Sequence, residues 1–182
     1  MSALPLIQAA GGAAAWPLLS SQSTPDPPPS HPGYPGQLAG VAPLGGAAGF
    51  PRAATMTPGG DLPGVGAARQ FSRAALERWQ VGGRSDDITL VLSELLANAL
   101  VHAVRRPGGW PVRIGLYQAR PGADVLCAVC DPSPTPPVRR PPGQLAESGR
   151  GLRVIAELSD RWGYAEVPPR GKVVWATFAP EG

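Results

Sequence analysis

Three short stretches of this sequence carry residue types that can do chemistry. In SELLANALVHA (93–103), at 100° per residue, Glu94, Asn98 and His102 fall within about 80° of one another on one helix edge. A carboxylate and an amide stacked one turn apart can serve as a base and as an oxygen ligand for a hard cation such as Mg²⁺. The same edge also suits the solvated border of an amphipathic helix. Asp131 follows an apolar run and precedes Pro132, so its carboxylate is either held at a strand end, as in many pockets, or forms an Asp-Pro turn. Gly149-Arg150-Gly151-Leu152 stands at the start of a short helical pattern. Glycines there let a backbone approach a ligand, and a helix N-terminus favours a phosphate chain; a glycine-permitted helix entry is the plain alternative.

Cys127 and Cys130 form a C-x-x-C inside ADVLCAVCD. In a strand, positions three apart point to opposite faces, and no second Cys pair or local His completes four ligands. They read as buried small hydrophobes.

The elements that must position these residues follow from periodicity. Ala68, Phe71, Ala75, Leu76 and Trp79 define an amphipathic helix over 64–80, with Gly82 and Gly83 as its stop. Ser85 is the expected N-cap of a second helix running to about Val104, with Asp86 and Asp87 at its positive end. Its core stripe is Ile88, Val91, Leu92, Leu95 and Ala99. Strands are expected at 111–118 and 123–130, joined by Arg120-Pro121-Gly122, and at 161–167 and 171–179. A third helix spans 151–159, after a Pro-rich loop at 132–148 that is too long to be a mere connection. Helices with one apolar stripe on one face of a mixed, largely antiparallel sheet make an α+β two-layer sandwich.

Composition divides the chain. Residues 1–60 hold 10 Gly and 11 Pro but only two charged side chains, Asp26 and Arg52. Such a segment cannot offset roughly 1–2 kcal/mol of ordering entropy per residue. The expected organisation is therefore a disordered tail at 1–55 and one domain at 56–182. The net charge of +3 lies in the latter, with no basic run to mark a nucleic-acid surface. No secretory signal or unbroken apolar run of membrane-spanning length is visible, and a cytoplasmic protein is expected.

In this order and spacing, the three features resemble the nucleotide-binding boxes of the GHKL superfamily, the Bergerat-fold ATPases and kinases. The resemblance covers about residues 60–180 and is nearest to short anti-sigma-factor serine/threonine kinase-like proteins. Their run is an E-L-x-x-N-A-x-x-H-A box, a strand-end acid, a Pro-rich lid, a G-R-G-L turn and a closing G-K-x-V-W-A strand. Here these are ELLANALVHA from Glu94, Asp131, the loop 132–148, GRGL from Gly149, and GKVVWATF from Gly171.

The resemblance implies ATP and Mg²⁺ as cofactors, with Glu94 as general base and Asn98 as Mg²⁺ ligand. It implies that Asp131 accepts from the adenine amino group and that Gly149, Arg150, Gly151 and Leu152 line the triphosphate. Thr177 would lie near the adenine, although a Thr in a strand is also simply a β-former, and Arg139 and Arg140 would sit in the lid. The implied partner is a STAS-type anti-anti-sigma factor or a sigma factor, and the implied assembly a homodimer. One departure is visible. Where the fuller pattern reads D-x-G-x-G, this chain has Asp131-Pro132-Ser133-Pro134-Thr135, which restricts how closely the loop approaches a base. That departure motivates a second expectation, a non-catalytic protein-interaction module. A two-component histidine kinase is disfavoured, since His31 lies in PPPSHPGYPG, where no helix forms.

Overall fold

The computed structural model describes residues 50–59, 62–103, 111–137, 150–167 and 171–181. Along the chain run β1 (Arg52–Met56), α1 (Leu62–Arg78), α2 (Ser85–Ala103), β2 (Arg113–Gln118), β3 (Val125–Asp131), α3 (Arg150–Leu158), β4 (Arg161–Glu166) and β5 (Lys172–Phe178). The strands form one sheet in the order β1-β2-β3-β5-β4, and every neighbouring pair is antiparallel. The α+β two-layer sandwich expected from periodicity is the fold found.

The apolar stripes do the packing they encode. Phe71, Ala75, Leu76 and Trp79 of α1 and Ile88, Val91, Leu92, Leu95 and Ala99 of α2 are all buried. They share one core with Ile114, Leu116, Cys127, Val129, Val174, Ala176 and Phe178 from the sheet. Each fully buried aliphatic or aromatic side chain contributes about 1.5–3 kcal/mol. α2 is the central helix, packed against α1, α3 and β3.

Both helix boundaries near residue 80 differ from expectation in mechanism. α1 does not run to Gln80. The Val81 amide donates to the Leu76 carbonyl and the Gln80 amide to Glu77, while Gln80 takes a left-handed φ of 57°. That six-to-one closure ends the helix before the two glycines are reached. Ser85 is not the expected N-cap. Its hydroxyl donates to the Val81 carbonyl at 2.7 Å, and the Arg84 carbonyl accepts the first helical bond from Ile88.

The tail expected through residue 55 meets the sheet earlier than composition implied. Arg52–Met56 pairs with Gln118–Ile114 as an edge strand, and the Arg52 guanidinium donates to the Trp79 carbonyl and to Gln118 Oε1. Residues 1–49 lie outside the described residues, as do 138–149 of the Pro-rich loop. Arg84 ties the two layers together: it donates to the Leu158 carbonyl at 2.6 Å, pairs with Asp87 and Asp160, and lies 5.3 Å from the Phe178 ring centroid. Among the described residues no helix is long and apolar enough to cross a membrane.

Candidate functional site

The site is assembled where α2 meets the first turn of α3. The regular turns of α2 carry Glu94 and Asn98 up one edge, both half-buried beside the buried Leu95 and Ala99. α3 begins at Arg150, and Leu152 and Ile155 anchor it in the main core. That anchoring presses the Gly151 backbone onto the α2 edge. A Cβ on Gly151 would stand 2.8 Å from Glu94 Oε2 and 3.2 Å from Asn98 Nδ2. Only glycine leaves the carboxylate and amide undisturbed there.

Two properties of this junction bear on ligands. Asn98 Nδ2 is buried and has no hydrogen-bond partner among the described residues, and such an orphan costs about 1–3 kcal/mol unless something satisfies it. The first amides of α3 have no intrahelical acceptors and carry the positive end of the helix dipole. A carboxylate, an amide and a helix N-terminus thus converge on one spot. They suit an anion accompanied by a hard cation. Among the described residues no three His, Cys, Asp or Glu side chains converge as a metal cage.

Asp131 closes β3 on the helix-facing side, in step with Cys127 and Val129. It is buried and engaged. Lys172, its directly paired neighbour on β5, places Nζ 2.9 Å from each carboxylate oxygen and donates to the Ser133 carbonyl at 3.1 Å. The Ser133 amide returns a bond to Asp131 Oδ1 at 2.8 Å, and the Thr135 amide donates to Ser133 Oγ at 3.3 Å. These side-chain turns shape the loop where the glycines of the fuller pattern are missing.

Not every expected residue joins this arrangement. Thr177 is a correction. It pairs with Leu126 and Arg161 in mid-sheet, five positions along β5 from Lys172, and alternation puts it on the face away from the helices. The Leu152 side chain lies in the core, so only its backbone is placed at the start of α3. Arg150 is exposed at the helix start. Gly149, Arg139, Arg140 and the side chain of His102 lie outside the described residues.

Lys172 was missed by the sequence reading. Its signal was available: a lysine in register with Val174, Ala176 and Phe178 sits on the core face, where a buried cation requires a partner. Cys127 and Cys130 are free, buried and on opposite faces, as small hydrophobes. Burial pushes each thiol up to about 12, and the neighbouring Asp131 carboxylate adds to the rise at Cys130.

A family model described as the histidine kinase-like ATPase domain matches residues 61–178, well over half of the chain. The match takes in all three helices and β2 to β5 and begins after β1. None of the curated proteins matches the chain at a significant level.

Proposed function

Because this chain belongs to the histidine kinase-like ATPase domain family, we propose that its ATP-binding domain, extending from β1 to β5, works as a cytoplasmic serine/threonine kinase on a STAS-type anti-anti-sigma partner. In this reading Glu94 takes the proton of the attacking hydroxyl and Asn98 gives its amide oxygen to Mg²⁺. Asp131 accepts from the adenine amino group, and the α3 N-terminus with Gly149, Arg150 and Gly151 receives the phosphates. When bound, Mg-ATP supplies the phosphoryl group; the residues of this chain supply positioning and proton removal.

The observation that carries the reading is the closeness of Gly151 to both Glu94 and Asn98, against whose side chains an added Cβ would stand. It supports a site shared by that edge of α2 and the first turn of α3, and the orphaned Asn98 amide nitrogen marks the spot as polar and unfinished. Mg²⁺ is a hard cation that takes oxygen ligands and keeps several waters beside substrate phosphates, and the Asn98 amide oxygen would suit it as a protein ligand.

Calorimetric titration of Mg-ATP into the full chain, with Asn98→Ala as control, tests the pocket. Saturable binding lost in the control supports it, and no binding at millimolar nucleotide overturns it. Transfer of labelled phosphate to cognate STAS domains then tests the kinase.

A second reading is a non-catalytic module that shapes a surface for a sigma factor or another regulator. It is favoured by the ion pair that Lys172 already makes with Asp131, which satisfies in advance part of the carboxylate that would read the base. Partner control that survives Glu94→Ala would select this reading over the kinase.

A further inference from the structure

A lysine buried in a sheet must be paired, and Lys172 is 3% exposed. It has two acidic neighbours across the sheet, Asp131 at the paired position of β3 and Glu166 at the paired position of β4. Glu166 is exposed, and the ammonium turns to Asp131. Three oxygens surround Nζ: Asp131 Oδ1 and Oδ2, each at 2.9 Å, and the Ser133 carbonyl at 3.1 Å. An ammonium has three donors, so this cluster engages all of them, and Lys172 acts on a ligand only through Asp131. Stability gives little reason to keep such a pair, because apolar residues of similar volume often serve as well. What the ammonium does supply is a fixed charge on the carboxyl group.

That charge has chemical consequences for a purine. Burial favours the neutral form of a carboxyl group and a neighbouring cation favours the ionised form. The ionised carboxylate only accepts hydrogen bonds, whereas the neutral acid also has an O–H to donate. Position 6 of adenine carries an amino group, which donates. Position 6 of hypoxanthine carries an oxygen, which accepts. A carboxylate at that position therefore pairs with a 6-amino purine and opposes a 6-oxo purine, while a neutral acid pairs with either. The Ser133 amide, donating to Oδ1 at 2.8 Å, holds the direction of the group whose charge Lys172 holds.

Resting on the reading of Asp131 as the residue that meets the base, we propose that Lys172 is a positioning residue for base selection: it keeps Asp131 an acceptor-only carboxylate and thereby restricts the site to 6-amino purine nucleotides. Lys172 makes no contact with the nucleotide in this arrangement. Its influence passes through the charge and aim of Asp131.

Calorimetric titration of Mg-ATP and Mg-ITP into the full chain tests this as a ratio of two affinities. The folded, binding-competent fraction scales both affinities equally and cancels from the ratio. The unsubstituted chain is expected to prefer Mg-ATP by about tenfold or more. Lys172→Gln, which keeps a donor beside the carboxylate but no charge, and the apolar Lys172→Met are each expected to bring the two affinities to within about threefold of each other, in part by strengthening Mg-ITP. Lys172→Arg, which keeps the charge, is expected to retain the preference. A preference that persists in a folded neutral variant, with any loss shared by both nucleotides, is the mark of a structural role and overturns the proposal while leaving the pocket in place. A preference lost to the same degree in Lys172→Arg also overturns it, because charge is then not what sets the choice. An unsubstituted chain that binds both nucleotides equally takes base selection away from Asp131 and Lys172 together, and one that binds neither overturns the pocket itself.

Discussion

The Lys172 ammonium lies 2.9 Å from both carboxylate oxygens of Asp131, at directly paired positions of β5 and β3, with both side chains almost fully buried. The Ser133 amide and carbonyl complete a closed ring of bonds around the pair. One feature of the loop after β3 is thereby explained. A Pro-flanked turn without glycine is held by side chains that the sheet itself positions.

Breaking the pair from one side is expected to be costly. Lys172→Met takes the paired ammonium away from a buried carboxylate, a loss of about 3–5 kcal/mol, whereas replacing both partners by apolar residues of similar volume is often neutral. Denaturant unfolding should therefore show a large fall in midpoint for Lys172→Met and recovery of most of it in Lys172→Met/Asp131→Leu. A double variant as unstable as the single would show that the ring of bonds, not the buried charge, sets the cost.

Glu94 and Asn98 should separate kinetically although they are one turn apart. Glu94→Gln keeps shape and packing and removes the base, so Mg-ATP affinity should stay within about threefold while phosphate transfer falls by about 10²-fold or more. Asn98→Ala removes the metal's protein oxygen and should weaken Mg-ATP binding itself. Titration calorimetry and labelled transfer on the same preparations distinguish the two. Equal losses of affinity in both variants would place Glu94 in binding rather than proton transfer.

Much of this architecture was legible because local pattern and global packing agree. The stripe Phe71, Ala75, Leu76 and Trp79 specified α1, and strand-like runs bounded by turn signals specified four of the five strands. β1 was not legible. RAATM carries no strong alternation and directly follows a Pro- and Gly-rich tail, so its strand state comes from pairing with β2, about 60 residues away in sequence. Gly151 was legible as a glycine beside a helix start, but its closeness to Glu94 and Asn98 depends on how α3 docks on α2. Thr177 was misplaced for a similar reason: motif order puts it on the right strand, and only the register shows that Lys172 is the neighbour of Asp131.

The cysteines make stability pH-dependent on the alkaline side. Both thiols are pushed up to about 12 from an ordinary value of 9.0. The folded state therefore holds those protons when the unfolded state has released them. The associated stability is present in full below about pH 9 and declines as pH rises towards 12, by at most about 1.4 kcal/mol per pH unit for each thiol. Unfolding free energies measured at about pH 8 and pH 10.5 should show the decline, and Cys127→Ala should reduce its slope. The native thiols should also resist disulfide reagents at about pH 8 and react on unfolding.

Gly151→Ala provides the sharpest separation of site from fold. In an unobstructed helix, alanine in place of glycine is worth up to about 1 kcal/mol, and Gly66 in α1, where an added methyl would meet nothing within 4 Å, is such a place. At Gly151 the same methyl meets Glu94 Oε2 and Asn98 Nδ2. The Glu94 carboxylate ends a flexible side chain and can swing away, so the fold survives. The two groups are nonetheless re-aimed, and misplacement on the order of 1 Å can cost about 10²-fold in function. Gly66→Ala should therefore raise the thermal midpoint and leave nucleotide binding intact. Gly151→Ala should lose that gain and weaken Mg-ATP binding by about tenfold or more, read by calorimetry on folded protein. Unchanged affinity in Gly151→Ala would remove the α3 N-terminus from the site.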